Sequence, residues 1–309
     1  MFKLNSLMTD VILILVCLVN MACSQQLNRF SNKNQTYISE KKDVESRVIY
    51  GDDNRVDYLD IVDPDIKEMM ASTVALISNE HFIYDSVFDK FHLKNPEVSL
   101  KMCTTERFRH QPTWAFCSGS LIGPDLILTA GHCVRTQKEC RQAKFVFDYT
   151  LSSQGTDLNE ISAHSVYECD ELVYSTDKKE SADFAIVRLN RVVADRKILQ
   201  FSEDELTKDD TIMLIGHPAG LPTKATLNGK IRSLDNNQFF KAELDAFTGN
   251  SGSSVFDQKS KRIIGVLARG EADYERENGC YISKVCKESE CRGEDVTRIS
   301  EIQKYLPKN

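Results

Sequence analysis

The stretch FCSGSLIGPDLILTAGHC, residues 116–133, is the part of the chain that decides the fold. It contains two runs rich in β-forming residues, AFCSGSLI (115–122) and LILTA (126–130), separated by Gly, Pro and Asp, and this pattern predicts two β-strands joined by a turn. The second strand leads to His132, which is followed by Cys133. A histidine beside an apolar strand is more often packed in a core than catalytic, so the stretch alone leaves both roles open.

The same composition recurs along the chain, in short runs of Val, Ile, Phe and Thr bounded by Gly, Pro, Asp and Asn. This pattern is typical of all-β sandwiches and barrels. The other predicted strands are STVALIS (72–78), KFVFDYT (144–150), FAIVRL (184–189), TIMLIG (211–216), NGKIRSL (228–234), SVFD (254–257) and RIIGVLA (262–268).

The end of the chain has a different pattern. Apolar residues recur at helical spacing from Ile299 to Leu306, after Glu294 and Asp295, whose acidic side chains favour the start of a helix. A C-terminal helix is therefore predicted at about 294–306.

A serine lies between small residues in AFTGNSGSSVF (246–256). Glycines on both sides of Ser251 permit a sharp turn that exposes its hydroxyl and the neighbouring N–H groups. The alternative is an ordinary Gly/Ser turn between strands.

An acidic residue, Asp183, begins the apolar run of ESADFAIVRL (180–189). A carboxylate at this place would be held close to the core and shielded from water. An Asp at the end of a strand is usually a turn residue, so this segment also carries no function by itself.

Taken together, His132, Asp183 and Ser251 occur in the order in which the chymotrypsin-like fold carries its catalytic triad. With its motifs TAGHC, DFAIVRL and GNSG, the chain resembles the trypsin and chymotrypsin family of serine proteases over roughly residues 48–309. The resemblance implies an all-β fold of two packed six-stranded antiparallel β-barrels followed by a C-terminal α-helix.

The resemblance also implies a role for each residue of the triad. His132 would take the proton of Ser251 during attack on the substrate, and Asp183 would orient the imidazole. The backbone N–H groups of Gly249 and Ser251 would form the oxyanion hole. No cofactor or metal is expected.

One disulfide is implied by the spacing used in the family. Cys117 lies fifteen residues before His132. At this interval the family links its histidine loop to the preceding strand by a disulfide. The resemblance thus implies a Cys117–Cys133 bond, which would stabilise the fold by about 3 kcal/mol in the chain-entropy model.

The first 24 residues have the layout of a secretory signal peptide. Lys3 precedes the apolar run VILILVCLV (11–19), which is too short to span a bilayer of about 30 Å. The protein is therefore expected to be secreted or periplasmic, with lipidation of Cys23 as the alternative. The polar residues 25–47 are predicted to be a propeptide or linker.

After residue 47 the chain has 33 basic and 42 acidic residues. This acidic balance argues against nucleic acid or an anionic membrane as a partner, because phosphate binding requires clustered cations. The expected partners are protein or peptide substrates, and the chain is expected to be a monomer with no stable membrane association.

The cysteine content of an exported chain favours disulfides. Eight cysteines follow the signal segment, and the pairing of six of them stays open: Cys103, Cys140, Cys169, Cys280, Cys286 and Cys291. A zinc site is the less favoured alternative, because CxxC and HxxxH spacings are absent from the sequence.

The mature domain is expected to begin at Val48, with barrels at about 68–192 and 193–290 and an insertion at 79–113. The motif GNSGS and the segment VIYGDDNRVD (48–57) are similar to the bacterial glutamyl-endopeptidase branch, which implies a zymogen cleaved after Arg47.

Before the serine, Asn250 replaces the Asp that forms the activation salt bridge in trypsin-type enzymes. An Asn carries no charge, so the sequence does not predict this salt bridge.

Substrate selection is the second departure from the family. Leu267 occupies the place where the glutamyl branch has a His, on a strand whose Ala268 and Gly270 are expected to bind substrate. Asp245 lies six residues before Ser251, where trypsin has the Asp of its substrate pocket.

A buried carboxylate at Asp245 would pair with an Arg or Lys before the scissile bond. The alternatives are that Asp245 is a surface turn residue, or that Arg269 neutralises it.

The predicted function is therefore a secreted serine endopeptidase, for which Asp245 suggests a preference for Arg or Lys. One alternative is an endopeptidase that selects Glu or another residue. Another is a non-catalytic protein of the same fold that binds a partner, because folds are reused for unrelated functions.

Overall fold

A computed structural model describes residues 49–94, 100–178, 181–270, 272–286 and 291–306. The expected signal peptide, the propeptide and Val48 lie outside these residues.

The structure is built mainly of short strands. Those of the N-terminal part are β1 (Ile49–Tyr50), β2 (Arg55–Asp57), β3 (Thr73–Ser78), β4 (Phe82–Asp85), β5 (Lys90–Leu93), β6 (Cys117–Leu121), β7 (Leu126–Thr129), β8 (Ala143–Val146), β9 (Glu160–Ser162), β10 (Val166–Asp177) and β11 (Asp183–Leu189). Those of the C-terminal part are β12 (Thr211–Gly216), β13 (Lys224–Ser233), β14 (Phe239–Glu243), β15 (Ser254–Asp257), β16 (Ile263–Arg269), β17 (Tyr274–Glu277), β18 (Cys280–Ser283), β19 (Val285–Cys286) and β20 (Glu294–Arg298).

The helices are short. The α-helices are α1 (Pro64–Ala71), α2 (Gln137–Gln142) and α3 (Ile299–Ile302). The 3-10 helices are Tyr58–Asp60, Asn79–His81, Gly131–Cys133, Ala163–Ser165, Pro218–Gly220 and Gln303–Tyr305. In the described parts of the chain, no helix is both long enough and apolar enough to cross a membrane.

The first barrel closes in the strand order β10-β11-β7-β6-β3-β8, with β8 pairing back to β10 and every pair antiparallel. Its interior is filled by apolar side chains that the alternation along each strand turns inward, among them Leu121, Ile127, Phe145, Tyr167 and Val187.

The second barrel closes in the order β12-β15-β16-β20-β14-β13, with β13 pairing back to β12. Strand β2 extends this sheet by pairing antiparallel with β13. The core contains Ile212, Phe240, Leu244, Ile264 and Val296. The predicted pair of six-stranded antiparallel barrels is thus confirmed.

The predicted start of the C-terminal helix was wrong. Glu294–Arg298 is strand β20, which hydrogen-bonds to β14 on one side and β16 on the other. The acids at 294 and 295 are buried in this ladder, so the second barrel extends past the expected residue 290. Among the C-terminal residues that the structure describes, the helical segment consists of α3 and the following 3-10 turn.

The expected insertion at 79–113 has two parts. Strands β4 and β5 form a hairpin that joins β9 in a three-stranded sheet. In the second part, Met102 bridges to Tyr281, and Cys103 forms a disulfide with Cys280 in the β17–β18 hairpin. The second part is therefore attached covalently to the C-terminal half of the chain.

The cysteines whose partners the sequence left open form three disulfides. Besides Cys103–Cys280, these are Cys140–Cys169 and Cys286–Cys291. The structure also contains the Cys117–Cys133 bond that the family resemblance implied.

Candidate active site

His132 lies in the 3-10 turn Gly131–Cys133 that directly follows β7. The next residue, Cys133, is bonded to Cys117 on the neighbouring strand β6, which anchors the turn to the barrel wall. A ring nitrogen of His132 and both sulfurs lie within 4.8 Å of one another. Because the sulfurs are bonded to each other, this group offers no thiolate to a metal.

Asp183 holds the histidine from the first residue of β11. Its Oδ1 accepts the backbone N–H groups of Gly131 at 2.7 Å and His132 at 3.1 Å, and its Oδ2 lies 2.8 Å from His132 Nδ1. A carboxylate only accepts hydrogen bonds, so Nδ1 carries the hydrogen and Nε2 is left able to take a proton.

The carboxyl group of Asp183 is almost inaccessible to solvent, with 1% of the residue exposed. Burial would raise its pKa, but the hydrogen bonds and charge of His132, together with the charge of Arg269, lower the pKa below its ordinary value. Asp183 is thus held as the anion.

Arg269 contacts the acid of the proposed triad. Its Nη2 lies 3.7 Å from Asp183 Oδ2 and donates to the carbonyls of Lys178 and Ser181. The guanidinium therefore stands beside the acid that holds His132, whereas the sequence had offered neutralisation of Asp245 as an alternative role for Arg269.

Thr297 on β20 connects the second barrel to Asp183. Its Oγ1 accepts the backbone N–H of Asp183 at 3.0 Å and donates to the backbone carbonyl of Asp183 at 3.1 Å. No local pattern in the sequence indicated this residue.

Ser251 lies in the turn between β14 and β15. Gly249 and Gly252 have φ angles of 95° and 84°, a region that favours glycine. A Cβ at Gly249 would also lie 2.5 Å from the carbonyl oxygen of His217, and one at Gly252 would collide with the backbone of Ser118. The two glycines are therefore required by both conformation and space.

Asn250 is buried next to Ser251. Its Oδ1 accepts a hydrogen bond from Ser253 Oγ at 3.2 Å, whereas its Nδ2 has no hydrogen-bond partner among the described residues. A neutral amide at this position offers no negative charge with which an α-ammonium group could pair.

Asp245 has other partners than a substrate cation. Its Oδ1 accepts the backbone N–H of Tyr50 at 2.7 Å and its Oδ2 that of Asn54 at 2.6 Å, and burial raises its pKa to about 6. It lines a cavity of about 240 Å³ whose wall includes neither His132 nor Ser251. The carboxylate thus binds the segment that begins the described chain.

Of the residues expected to bind substrate, Ala268 lies in β16 next to Leu267, and Gly270 directly follows the strand. The Leu267 carbonyl accepts the N–H of Gly252 and the Leu267 N–H donates to the carbonyl of Ser253, both at 2.9 Å. Strand β16 therefore runs directly beside the Ser251 turn.

Residues 117–266 match a family model described as the trypsin-like peptidase domain. Sequence comparison with curated proteins finds no match.

Similar solved structures include two of the inactive form of the Rv3671c protease, one of them recorded as from M. tuberculosis H37Rv. These have TM-scores of 0.46 and 0.45 and identities of 14% and 15%, and the matches cover 80% and 79% of this chain and 90% and 91% of those chains. A Glu endopeptidase in complex with MPD has a TM-score of 0.49 at 17% identity, covering 84% of this chain and 98% of that one. The chain therefore contains a trypsin-like peptidase domain over residues 117–266 and is a serine endopeptidase.

Proposed function

We propose that the protein hydrolyses protein or peptide substrates through an acyl-enzyme on Ser251, with His132 as general base and Asp183 as its orienting acid. One observation carries the proposal: the buried Asp183 carboxylate lies 2.8 Å from His132 Nδ1 while its other oxygen is held by two backbone N–H groups. This arrangement fixes both the tautomer and the position of the imidazole.

In the first step, Ser251 Oγ attacks the carbonyl carbon of the scissile bond and its proton passes to His132 Nε2. The imidazolium that results is stabilised by the ionised Asp183. His132 then gives this proton to the leaving amine as the C–N bond breaks, which leaves an ester on Ser251.

The second half of the cycle repeats the same proton transfers with water. Water attacks the ester carbonyl while His132 takes a proton from it, and the proton returns to Ser251 Oγ as the C–O bond breaks. The carboxylic acid product and the original enzyme result, so no cofactor is needed.

The N–H groups of Gly249 and Ser251 would donate to the negative oxygen that forms in each step. The backbone at Gly249, with its φ of 95°, supports this role because it lets the peptide units of the turn present N–H groups to one point. Such donors stabilise the transition state more than the ground state.

The site of action that we propose is outside the cytoplasm, with the chain as a monomer processed after Arg47. Four disulfides between described cysteines support export, because such bonds persist in oxidising compartments.

The preference for Arg or Lys that Asp245 suggested is not retained in this proposal. Both oxygens of that carboxylate already accept backbone N–H groups of the N-terminal segment. We propose instead that Asp245 anchors this segment and that other groups select the substrate.

The test is a Ser251→Ala variant assayed on a mixture of peptides. Removal of the nucleophile is expected to lower kcat by about 10⁶-fold and to abolish labelling by a fluorophosphonate. Ser254→Ala is the matched control, because Ser254 is buried three residues away and its hydroxyl has no hydrogen-bond partner among the described residues.

Two results would contradict the proposal. Hydrolysis by Ser251→Ala at a near wild-type rate would exclude Ser251 as the nucleophile. A wild-type protein that neither cleaves peptides nor reacts with the fluorophosphonate would favour the non-catalytic alternative.

A further inference from the structure

We propose that Ser118 is a positioning residue that holds the oxyanion hole in shape, an inference that rests on the proposed function. Ser118 is the second residue of β6, is fully buried, and lies next to Cys117. It belongs to the first barrel, whereas the turn that carries Ser251 belongs to the second.

Ser118 makes two hydrogen bonds to the Ser251 turn. Its backbone N–H donates to the carbonyl of Ser251 at 2.8 Å, and its hydroxyl donates to the carbonyl of Gly249 at 2.7 Å. The contacts therefore fall on both sides of Asn250.

The direction of the Ser118 hydroxyl is set by a third hydrogen bond. The backbone N–H of His217 donates to Ser118 Oγ at 2.9 Å. Because Oγ accepts this hydrogen bond, its own proton is directed to the Gly249 carbonyl. The hydroxyl thus acts as a fixed link between the backbone of His217 and that of Gly249.

These contacts act on the peptide units that carry the oxyanion donors. The N–H of Ser251 belongs to the unit between residues 250 and 251, and Ser118 holds the carbonyls of the units immediately before and after it. The N–H of Gly249 belongs to the unit before the one that the hydroxyl holds. The spacing of the two N–H groups therefore depends on Ser118.

The flexible backbone of Gly249 explains why the Ser118 hydrogen bonds are needed. Gly249 has no side chain to limit rotation of its backbone, and the peptide unit after it could turn if its carbonyl had no donor. Donors aimed at the developing charge are effective only when they are already in place. Loss of the Ser118 hydroxyl should therefore weaken transition-state binding more than substrate binding.

The experiment compares Ser118→Ala with Ser120→Ala. Both serines lie on β6 and are fully buried, but the hydroxyl of Ser120 has no hydrogen-bond partner among the described residues. We expect Ser118→Ala to lower kcat by about 10-fold with little change in KM, less than the loss for removing an oxyanion donor itself. Ser120→Ala is expected to stay near the wild-type value.

A second measurement uses a peptide aldehyde whose adduct with the enzyme carries the oxyanion. Its affinity should fall in Ser118→Ala by the same factor as kcat, because both depend on the hole. Rates are expressed per active site titrated with a fluorophosphonate, so that unfolded molecules do not contribute. Thermal unfolding of both variants measures any loss of stability separately.

The inference is overturned if the two variants lose activity equally, or if kcat falls in Ser118→Ala while the affinity for the aldehyde is unchanged. Failure of the proposed function has another signature, which is continued hydrolysis by Ser251→Ala. If Ser251→Ala is inactive while Ser118→Ala and Ser120→Ala have equal activity, this inference is overturned and the proposed function stands.

Discussion

Asp183 has partners for all four of its polar atoms. Its side chain binds Gly131, His132 and Arg269, and its backbone N–H and carbonyl both bind Thr297. A buried carboxylate is costly unless it is compensated in this way. At the scale of single residues, the site is thus organised around the acid that orients the proposed base.

The charge of Arg269 should set how far activity extends to low pH. Removing this cation favours protonation of the Asp183–His132 pair, so Arg269→Gln is expected to move the acid limb of kcat/KM to higher pH. The measurement is the pH profile of kcat/KM for the variant and the wild type.

Two matched variants complete this prediction. Arg269→Lys keeps the charge and should restore most of the wild-type profile. Arg262→Gln removes an exposed arginine that lies just before β16 and should not change the profile. Superimposable profiles for Arg269→Gln and the wild type would show that the 3.7 Å contact has no role in catalysis.

At the scale of elements, the Ser251 turn is held from several directions. Strand β16 runs along one side, Ser118 of β6 contacts it from the first barrel, and Asp245 precedes it. Asp245 connects this region to the segment 50–54 through two backbone N–H groups. The geometry of the turn is therefore coupled to the start of the described chain.

Burial of Asp245 should make stability depend on pH. Its folded pKa of about 6 exceeds the ordinary value of 3.8, so the native state binds more protons than the unfolded state between these values. By linkage, this group lowers the free energy of unfolding as pH rises through that window. Asp245→Asn is expected to remove this slope, which urea unfolding at about pH 4 and about pH 7 measures.

The same variant tests the anchoring role. Relative kcat/KM values for peptides with Arg, Glu or Phe before the scissile bond should be the same in Asp245→Asn and the wild type. A selective loss of Arg and Lys substrates in the variant would instead assign Asp245 to the substrate pocket.

At the scale of the whole molecule, the proposed triad is divided between the two barrels. His132 and Asp183 lie on the first barrel, and Ser251 lies on a turn of the second. Activity therefore depends on contacts that keep the barrels in register. Thr297 provides one such contact through its two hydrogen bonds to the backbone of Asp183.

Thr297→Val keeps the shape of this side chain but removes its hydroxyl. The buried N–H and carbonyl of Asp183 would lose their partner, which should lower the free energy of unfolding by about 1 to 3 kcal/mol. Without this contact Asp183 is expected to move relative to His132. This displacement should also lower kcat, by about 10-fold if it costs roughly 1.4 kcal/mol in the transition state. Denaturant unfolding and steady-state kinetics measure the two effects.

Thr297→Ser is the control because it retains the hydroxyl, and it should stay near wild type in both measurements. Equal kinetics for the Val and Ser variants would show that this contact between barrels does not affect the reaction.

Much of each barrel could be predicted from local patterns. The apolar runs of β3, β6, β7, β8 and β11 supply five strands of the first barrel, and those of β12, β13, β15 and β16 supply four of the second. The missing strands β10, β14 and β20 are rich in charged residues. They are strands because neighbouring strands on both sides satisfy their backbone hydrogen-bonding groups. The hydrophobic pattern of a segment does not show whether it has such neighbours.

By itself, the sequence determined the fold class and singled out His132, Asp183 and Ser251 as candidates, because both depend on local composition and on order along the chain. Only the tertiary structure decided the partners of Asp245, Arg269, Thr297 and Ser118. Each of these residues contacts a segment many positions away, and which distant groups meet is set by how the two barrels close and pack. The placement of charge and hydrogen bonds around the site is therefore a property of the folded chain.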